Sequence, residues 1–287
     1  MKSKILLLST VFLLIPSTGF SSSTIIFSGA ELESGTANSV NAVYRFSNAL
    51  TITSSFASQN FDALVTIRSI SANTQLIDFD DDSGINGGNI TAESLFSPRV
   101  QTLTPTVGTS VAGSVVLDLL FVESAGDAAS SVTLLGLGLS SLDTDGTGAG
   151  ANEIREFVDS DGSFSSFGSG LSSQTGGLDD TDNGISDDVF LISTDAVANN
   201  GINDNAENLS VIDLDAAGSG RTGFTLLAGV ESAETTASGA TSRRFAFDFS
   251  ESDAVSTAPT PSPVPEPSVT LLAFLGFAVA LGRRHRS

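Results

Sequence analysis

The 287-residue sequence predicts an all-β fold, a multi-stranded antiparallel β-sandwich, flanked by an N-terminal signal peptide and a C-terminal hydrophobic helix. Apolar and β-branched residues occur in short runs that are bounded by Gly, Asn, Asp or Ser. No part of the body, residues 22–256, has a sustained apolar period of 3.6 residues, and helix-favouring Lys and Glu are scarce. The body is therefore expected to form a sandwich of roughly a dozen strands.

The predicted strands follow one another along the body. In the last of them, residues 244–249, the three phenylalanines face one side, toward the core, while Arg244, Ala246 and Asp248 face the other. The interval 176–215 is less regular and is interpreted as an insertion. Examples of the predicted strands are residues 43–46, 63–70, 115–122, 132–137, 189–192 and 244–249.

Charge separates the two ends from the body. The sequence has 33 Asp and Glu against 12 Lys and Arg, yet its only lysines are Lys2 and Lys4. Residues 22–263 hold seven Arg and 32 acids, a net charge of −25. A surface this acidic repels phosphate backbones, so nucleic acid is not an expected partner. The absence of Cys excludes disulfides, thiolate nucleophiles and cysteine-based metal sites.

Residues 1–21 have the pattern of a secretory signal peptide. Lys2 and Lys4 precede an apolar run, residues 5–15, which is followed by Pro16 and small residues. Cleavage after Gly19 or after Ser21 fits the small-residue requirement. The sequence therefore predicts export through the Sec machinery.

The C-terminus has three successive parts. Residues 257–267 contain five prolines and form an extended linker. Residues 268–287 comprise an uncharged apolar segment, 268–282, and a basic stop that is expected to stay on the cytoplasmic side of a membrane. As a helix, the apolar segment measures about 22 Å, somewhat less than the hydrocarbon core of about 30 Å.

This tail resembles the PEP-CTERM sorting signal of exosortase substrates. Val264, Pro265, Glu266 and Pro267 match the processing motif, and the apolar segment and the terminal arginines follow it in the family's order. The resemblance implies that a membrane-embedded exosortase removes the helix and passes the protein to the envelope or exterior of a Gram-negative-type bacterium. Such bacteria often make exopolysaccharide, which is a candidate partner. The basic residues of the tail are Arg283, Arg284 and Arg286.

The body, from about residue 40 to 250, resembles a module of large secreted surface proteins of bacteria. The resemblance implies an adhesin-like or structural unit without an assigned enzymatic activity. It is carried by residues 43–46, 62–67, 142–146, 155–158, 164–167 and 244–249.

Acidic loops make calcium the candidate metal. Residues 143–215 hold 16 acids and a single Arg. Carboxylates one residue apart and followed by Gly can surround a hard cation with oxygens. We expect the site at Asp143, Asp145 and Glu156, because the module that the body resembles has an Asp-x-Asp-Gly loop followed by the Arg-Glu-Phe-Val strand, which implies that the strand can return a carboxylate to that loop. The alternative is that such loops are turns with solvated charge.

Catalytic chemistry is poorly supported, so the protein is not expected to be an enzyme. The only histidine is His285, in the tail, and no lysine lies in the body. A carboxylate-based glycoside hydrolase remains the less favoured alternative, since the body offers no Trp and only Tyr44 for stacking on sugars. Two other functions stay open: a structural or adhesin-like surface protein, and a calcium-dependent polysaccharide-binding module.

Overall fold

The computed structural model describes residues 22–53, 58–81, 95–102, 109–142, 144–147, 152–175, 189–193, 207–234 and 241–250. These residues form eighteen strands and one 3-10 turn at Ala128–Ser130. The strands are β1 (Ser22–Ile25), β2 (Glu31–Ser34), β3 (Val43–Thr53), β4 (Ser58–Ile70), β5 (Thr74–Asp78), β6 (Leu95–Phe96), β7 (Arg99–Thr102), β8 (Ser110–Glu123), β9 (Gly138–Leu142), β10 (Gly146–Thr147), β11 (Asn152–Ser160), β12 (Ser163–Phe167), β13 (Leu171–Thr175), β14 (Val189–Ser193), β15 (Ser210–Asp213), β16 (Gly223–Glu234), β17 (Thr241–Arg244) and β18 (Ala246–Ser250).

The largest sheet has ten strands. Its order is β1-β3-β4-β8-β16-β11-β14-β13, with β2 beside β3 and β10 beside β11. Every pairing in it is antiparallel. Its centre is built from long strands, and the register of β4, β8 and β16 places Thr66 opposite Asp118 and Asp118 opposite Thr225.

The chain passes twice between two smaller sheets. Their orders are β12-β15-β9-β18-β6 and β17-β7-β5. The chain passes from β17 to β18 at Phe245 and from β6 to β7 through Ser97 and Pro98. The Phe245 N–H donates to the Pro98 carbonyl at 2.9 Å. This hydrogen bond joins the two places where the chain passes from one of these sheets to the other.

The core lies on one face of the large sheet and is rich in phenylalanine. Alternate residues of β8 point into it, from Val115 to Phe121, and all are at most 1% exposed. Phe27 packs edge-to-face on Phe46 and also contacts Phe249 of β18, so rings from both layers meet. The predicted all-β sandwich is confirmed.

The opposite face of the large sheet holds a second buried cluster: Val116, Phe157, Phe190, Ile192 and Leu227. Phe157 lies across from Gly229 in the register of β11 and β16. A Cβ at Gly229 would lie 2.1 Å from Cζ of Phe157. This position therefore requires glycine, because the ring occupies the space of a side chain.

Most of the predicted runs fall in strands, with two differences. Residues 132–137 form an isolated bridge, Leu134 to Arg221, and a bend at Gly136 (φ 66°) in place of a strand. Residues 244–249 are divided between β17 and β18, because Phe245 leaves one sheet to enter the other.

The interval 176–215 contains β14 and β15, which pair inside the large sheet and a smaller sheet respectively. Residues 176–188 and 194–206 of this interval lie outside the described residues, as do both terminal segments. In the part of the chain that the structure describes, no helix has the length and apolarity that a membrane crossing requires.

Candidate functional site

Two of the three acids predicted for calcium lie side by side. Strand β10 pairs with β11, with Gly146 opposite Arg155, and this hairpin returns Glu156 to Asp145. The Glu156 N–H donates to the Asp145 carbonyl, and the Asp145 N–H donates to Oε2 of Glu156, both at 3.0 Å. Each residue is 3% exposed. Asp143 lies outside the described residues.

An arginine faces this pair of carboxylates. Arg243 of β17 has its Nε 3.7 Å from Oε1 of Glu156 and its Nη1 3.9 Å from Oδ1 of Asp145. The guanidinium supplies the positive charge that two buried carboxylates require. Among the described residues, no three His, Cys, Asp or Glu side chains form a group suited to a metal ion. The calcium site stays a prediction, and any cation here has Arg243 as a competitor.

Asp62, on β4 of the large sheet, is the centre of a second buried network. Its Oδ1 accepts the Asn48 N–H, and its Oδ2 accepts both the Ala125 N–H and Nη1 of Arg45, at 2.7–2.9 Å. Asn48 and Ala125 each have φ of 58°, so the carboxylate holds two left-handed turns. Burial opposes ionisation of Asp62, but these hydrogen bonds outweigh it and lower its pKa.

Arg45 completes this network by binding Glu33 of β2. Its Nε donates to Oε2 of Glu33 at 2.8 Å, and its Nη2 donates to the Gly126 carbonyl at 2.7 Å. The hydrogen bond to Glu33 is the largest influence on Arg45 and raises its pKa.

Every arginine of the body lies in an ion pair. Besides the pairs made by Arg243 and Arg45, Asp81 pairs with two arginines. Asp81 is 7% exposed, and its Oδ2 accepts from Nη2 of Arg244 at 2.7 Å and lies 3.5 Å from Nη1 of Arg99. The few positive charges of the body are therefore all paired with carboxylates. The seven arginines are Arg45, Arg68, Arg99, Arg155, Arg221, Arg243 and Arg244.

A row of bonded polar side chains crosses the face of the large sheet that lies away from the core. It consists of Arg68, Asp118, Thr225, Asp161 and Arg221, and we call it the polar row. Oδ2 of Asp118 accepts from Nε of Arg68 at 2.8 Å, and its Oδ1 accepts from Oγ1 of Thr225 at 2.9 Å. Oδ1 of Asp161 accepts the Thr225 N–H at 2.9 Å, and its Oδ2 pairs with Arg221.

Arg68 of this row lies at a β-bulge. The register of β4 with β8 shifts between Ile67 and Ser69, so Arg68 is an extra residue in the ladder. Bulges are frequent beside functional sites. Arg68 follows Thr66 by two residues, and Thr66 lies opposite Asp118 of the neighbouring strand, so Arg68 and Asp118 are on the same face of the sheet.

The polar row borders a shallow groove of about 430 Å³. Val43, Leu64 and Leu120 are its apolar lining, and Thr66, opposite Asp118, and Gly223, opposite Leu120, also line it. The side chains of Arg68 and Asp118 are 37% and 35% exposed, so each presents part of its surface to solvent. The groove joins polar groups to an apolar surface, as ligand sites do.

Sequence reasoning did not single out this groove. The available signal was a charged residue inside each of two apolar runs, Arg68 in 63–70 and Asp118 in 115–122. The residues predicted for sorting lie outside the described residues: Val264, Pro265, Glu266, Pro267, Arg283, Arg284 and Arg286.

No protein-family model matches the sequence, and no curated protein matches it. Among solved structures, the chain is similar to the adhesin domain of PrgB from Enterococcus faecalis bound to DNA, with 10% identity and a TM-score of 0.35. That match covers 80% of this chain and 70% of the other. The N-terminal domain of the Streptococcus gordonii adhesin Sgo0707 matches with 11% identity and a TM-score of 0.35, over 82% of this chain and 57% of that one. At these TM-scores neither likeness indicates a function.

Proposed function

We propose that this chain is an exported protein of the cell envelope or extracellular matrix, sorted by exosortase, with a structural or adhesin-like and non-catalytic role. The observation that carries the proposal is an all-β body between a signal-peptide pattern, residues 1–21, and a PEP-CTERM-like tail, residues 257–287. The lack of His and Lys in the body supports a non-catalytic role.

The sorting part of the proposal is tested at the C-terminus. In a host with exosortase, a tagged protein is expected to lose residues 268–287, as measured by the intact mass of the released product. Replacing Pro265, Glu266 and Pro267 by Ala should leave the chain uncleaved in the inner membrane. Pro261→Ala with Pro263→Ala, in the same linker, is the matched control and should be processed normally. An intact C-terminus on the released wild-type protein contradicts the proposal.

A second candidate is a calcium-dependent polysaccharide-binding module. The proximity of Asp145 and Glu156, two buried carboxylates in one hairpin, favours it. Bound calcium would stabilise the fold by mass action, by about 2.7 kcal/mol at a hundredfold excess over the dissociation constant.

Thermal unfolding distinguishes a calcium site from solvated turns. Millimolar CaCl₂ is expected to raise the melting temperature by roughly 5–10 °C. A chelator should reverse the increase, and Asp143→Asn combined with Asp145→Asn should weaken it. NaCl at equal ionic strength is the control, because general screening also relieves the repulsion of an acidic body. Equal melting curves in the two salts would show that the acidic loops bind no calcium.

A further inference from the structure

The polar row is fixed in position before any ligand arrives. Its members lie on β4, on β8, at the start of β16 and in the turn after β11, and hydrogen bonds of 2.8–2.9 Å join them. Thr225 and Asp161 also bond through their backbones, since the Asp161 N–H donates to the Thr225 carbonyl at 3.2 Å. Polar groups held on a rigid sheet lose little conformational freedom when they bind.

The charges of the polar row cancel. Two arginines and two aspartates give a formal sum of zero, in a protein whose formal net charge is −21. Arg68, Asp118 and Asp161 line the groove itself, and Arg221 pairs with Asp161 from beside it. An anion is repelled by the acidic body and meets no excess of positive charge in the groove. A neutral ligand with hydroxyl groups avoids that repulsion, because a hydroxyl can accept from a guanidinium and donate to a carboxylate.

The rest of the groove matches the apolar side of such a ligand. Val43 and Leu120 line the groove and are half-buried, so they offer apolar surface on which the C–H groups of a sugar ring can lie. Leu64 also lines the groove but is only 7% exposed. The volume of about 430 Å³ is toward the lower end of the range for ligand sites, about 300–1,000 Å³. The size suits a short stretch of sugar residues.

We propose that the groove along the polar row binds a neutral glycan, with Arg68 and Asp118 bonding neighbouring hydroxyls and Val43 and Leu120 packing on the ring. The site is separate from Asp145 and Glu156, so binding needs no calcium. This assignment deepens the adhesin-like part of the proposed function by naming a class of ligand.

The test uses the full 287-residue chain in a detergent without a sugar headgroup, so that its outcome does not depend on sorting. The probes are maltoheptaose, cellohexaose, xylohexaose and mannohexaose, titrated calorimetrically in the presence of EDTA. At least one probe is expected to bind. Arg68→Gln and Asp118→Asn should each weaken that binding about tenfold or more, because each removes a charge-assisted hydrogen bond.

Arg155→Gln is the matched control. Arg155 lies on the same sheet, is 40% exposed against 37% for Arg68, and pairs with Glu231 away from the groove. It should leave binding unchanged. Thr66→Gln should fill the groove while the ion pairs remain, so it should abolish binding even if the Arg68 and Asp118 variants fail to fold.

Four results would overturn the proposal. They are no binding of any neutral probe in EDTA, equal loss in Arg155→Gln, undiminished binding in folded Arg68→Gln and Asp118→Asn, and undiminished binding in folded Thr66→Gln. If no glycan binds, the intact mass of the product released by exosortase is still the one that the sorting proposal expects. The failure of the glycan proposal is therefore distinguishable from a failure of the sorting proposal.

Discussion

Asp62 shows how one carboxylate can set the stability of the body. It is 3% exposed, and its hydrogen bonds hold Arg45 and the two left-handed turns at Asn48 and Ala125. Its pKa in the folded protein is below the ordinary value of about 3.9. The stability it contributes is therefore present above that ordinary value and is lost as the pH falls through the folded-state pKa.

Asp62→Asn is expected to lower the free energy of unfolding by about 1.5–3 kcal/mol at pH 7. The difference from wild type should shrink as the pH falls below about 3.9, where the wild-type carboxyl also becomes protonated. Denaturant unfolding at several pH values measures it, with Glu31→Gln on the exposed strand β2 as control. A deficit that stays constant down to pH 2 would contradict this electrostatic account.

The candidate sites differ in how well the contact between their residues can be predicted from the sequence. Asp145 and Glu156 are 11 positions apart in one hairpin, and the resemblance of this loop and strand to a bacterial surface module already grouped them. Arg68 and Asp118 are 50 positions apart, and their contact depends on strand order and on the register of β4 with β8. Single-sequence reasoning has no access to either, because both are set by tertiary pairing.

At the scale of secondary-structure elements, the alternation of apolar and polar residues predicted well where strands occur. It predicted poorly where they begin and end. The three phenylalanines of residues 244–249 indicated one continuous strand, and all three are indeed buried. The chain nevertheless changes sheets at Phe245, whose N–H bonds to Pro98. Alternation reports which side chains are buried, whereas the choice of partner strand depends on distant segments.

The contact of Phe157 with Gly229 yields a prediction for the pairing of β11 and β16. Gly229→Ala should lower the free energy of unfolding by about 1–3 kcal/mol, because its methyl group displaces the ring. In a Phe157→Ala background the same change should cost much less, since the space is then empty. A double-mutant cycle by denaturant unfolding measures this coupling. Additive effects would mean that the ring does not occupy that space.

At the scale of the whole molecule, positive charge is used sparingly. Residues 22–263 have seven arginines for 32 acids, and each arginine forms an ion pair. All seven lie in strands or, for Arg221, in an isolated bridge beside β16. The intervals of the body outside the described residues contain no Lys or Arg.

This placement of arginine has a consequence for proteolysis. Trypsin cuts after Lys or Arg in locally unfolded chain, and the body offers such bonds only where strands or the bridge would have to open first. Native protein is therefore expected to survive trypsin for hours and to be cut rapidly once denatured in urea, as followed by gel electrophoresis. Proteinase K, which does not require a basic residue, is the control for accessible loops. Rapid tryptic cleavage of native protein within residues 22–256 would contradict the expectation. Outside a cell, such a body withstands proteases of basic specificity without a disulfide, and it offers no lysine amine to reagents that modify amines.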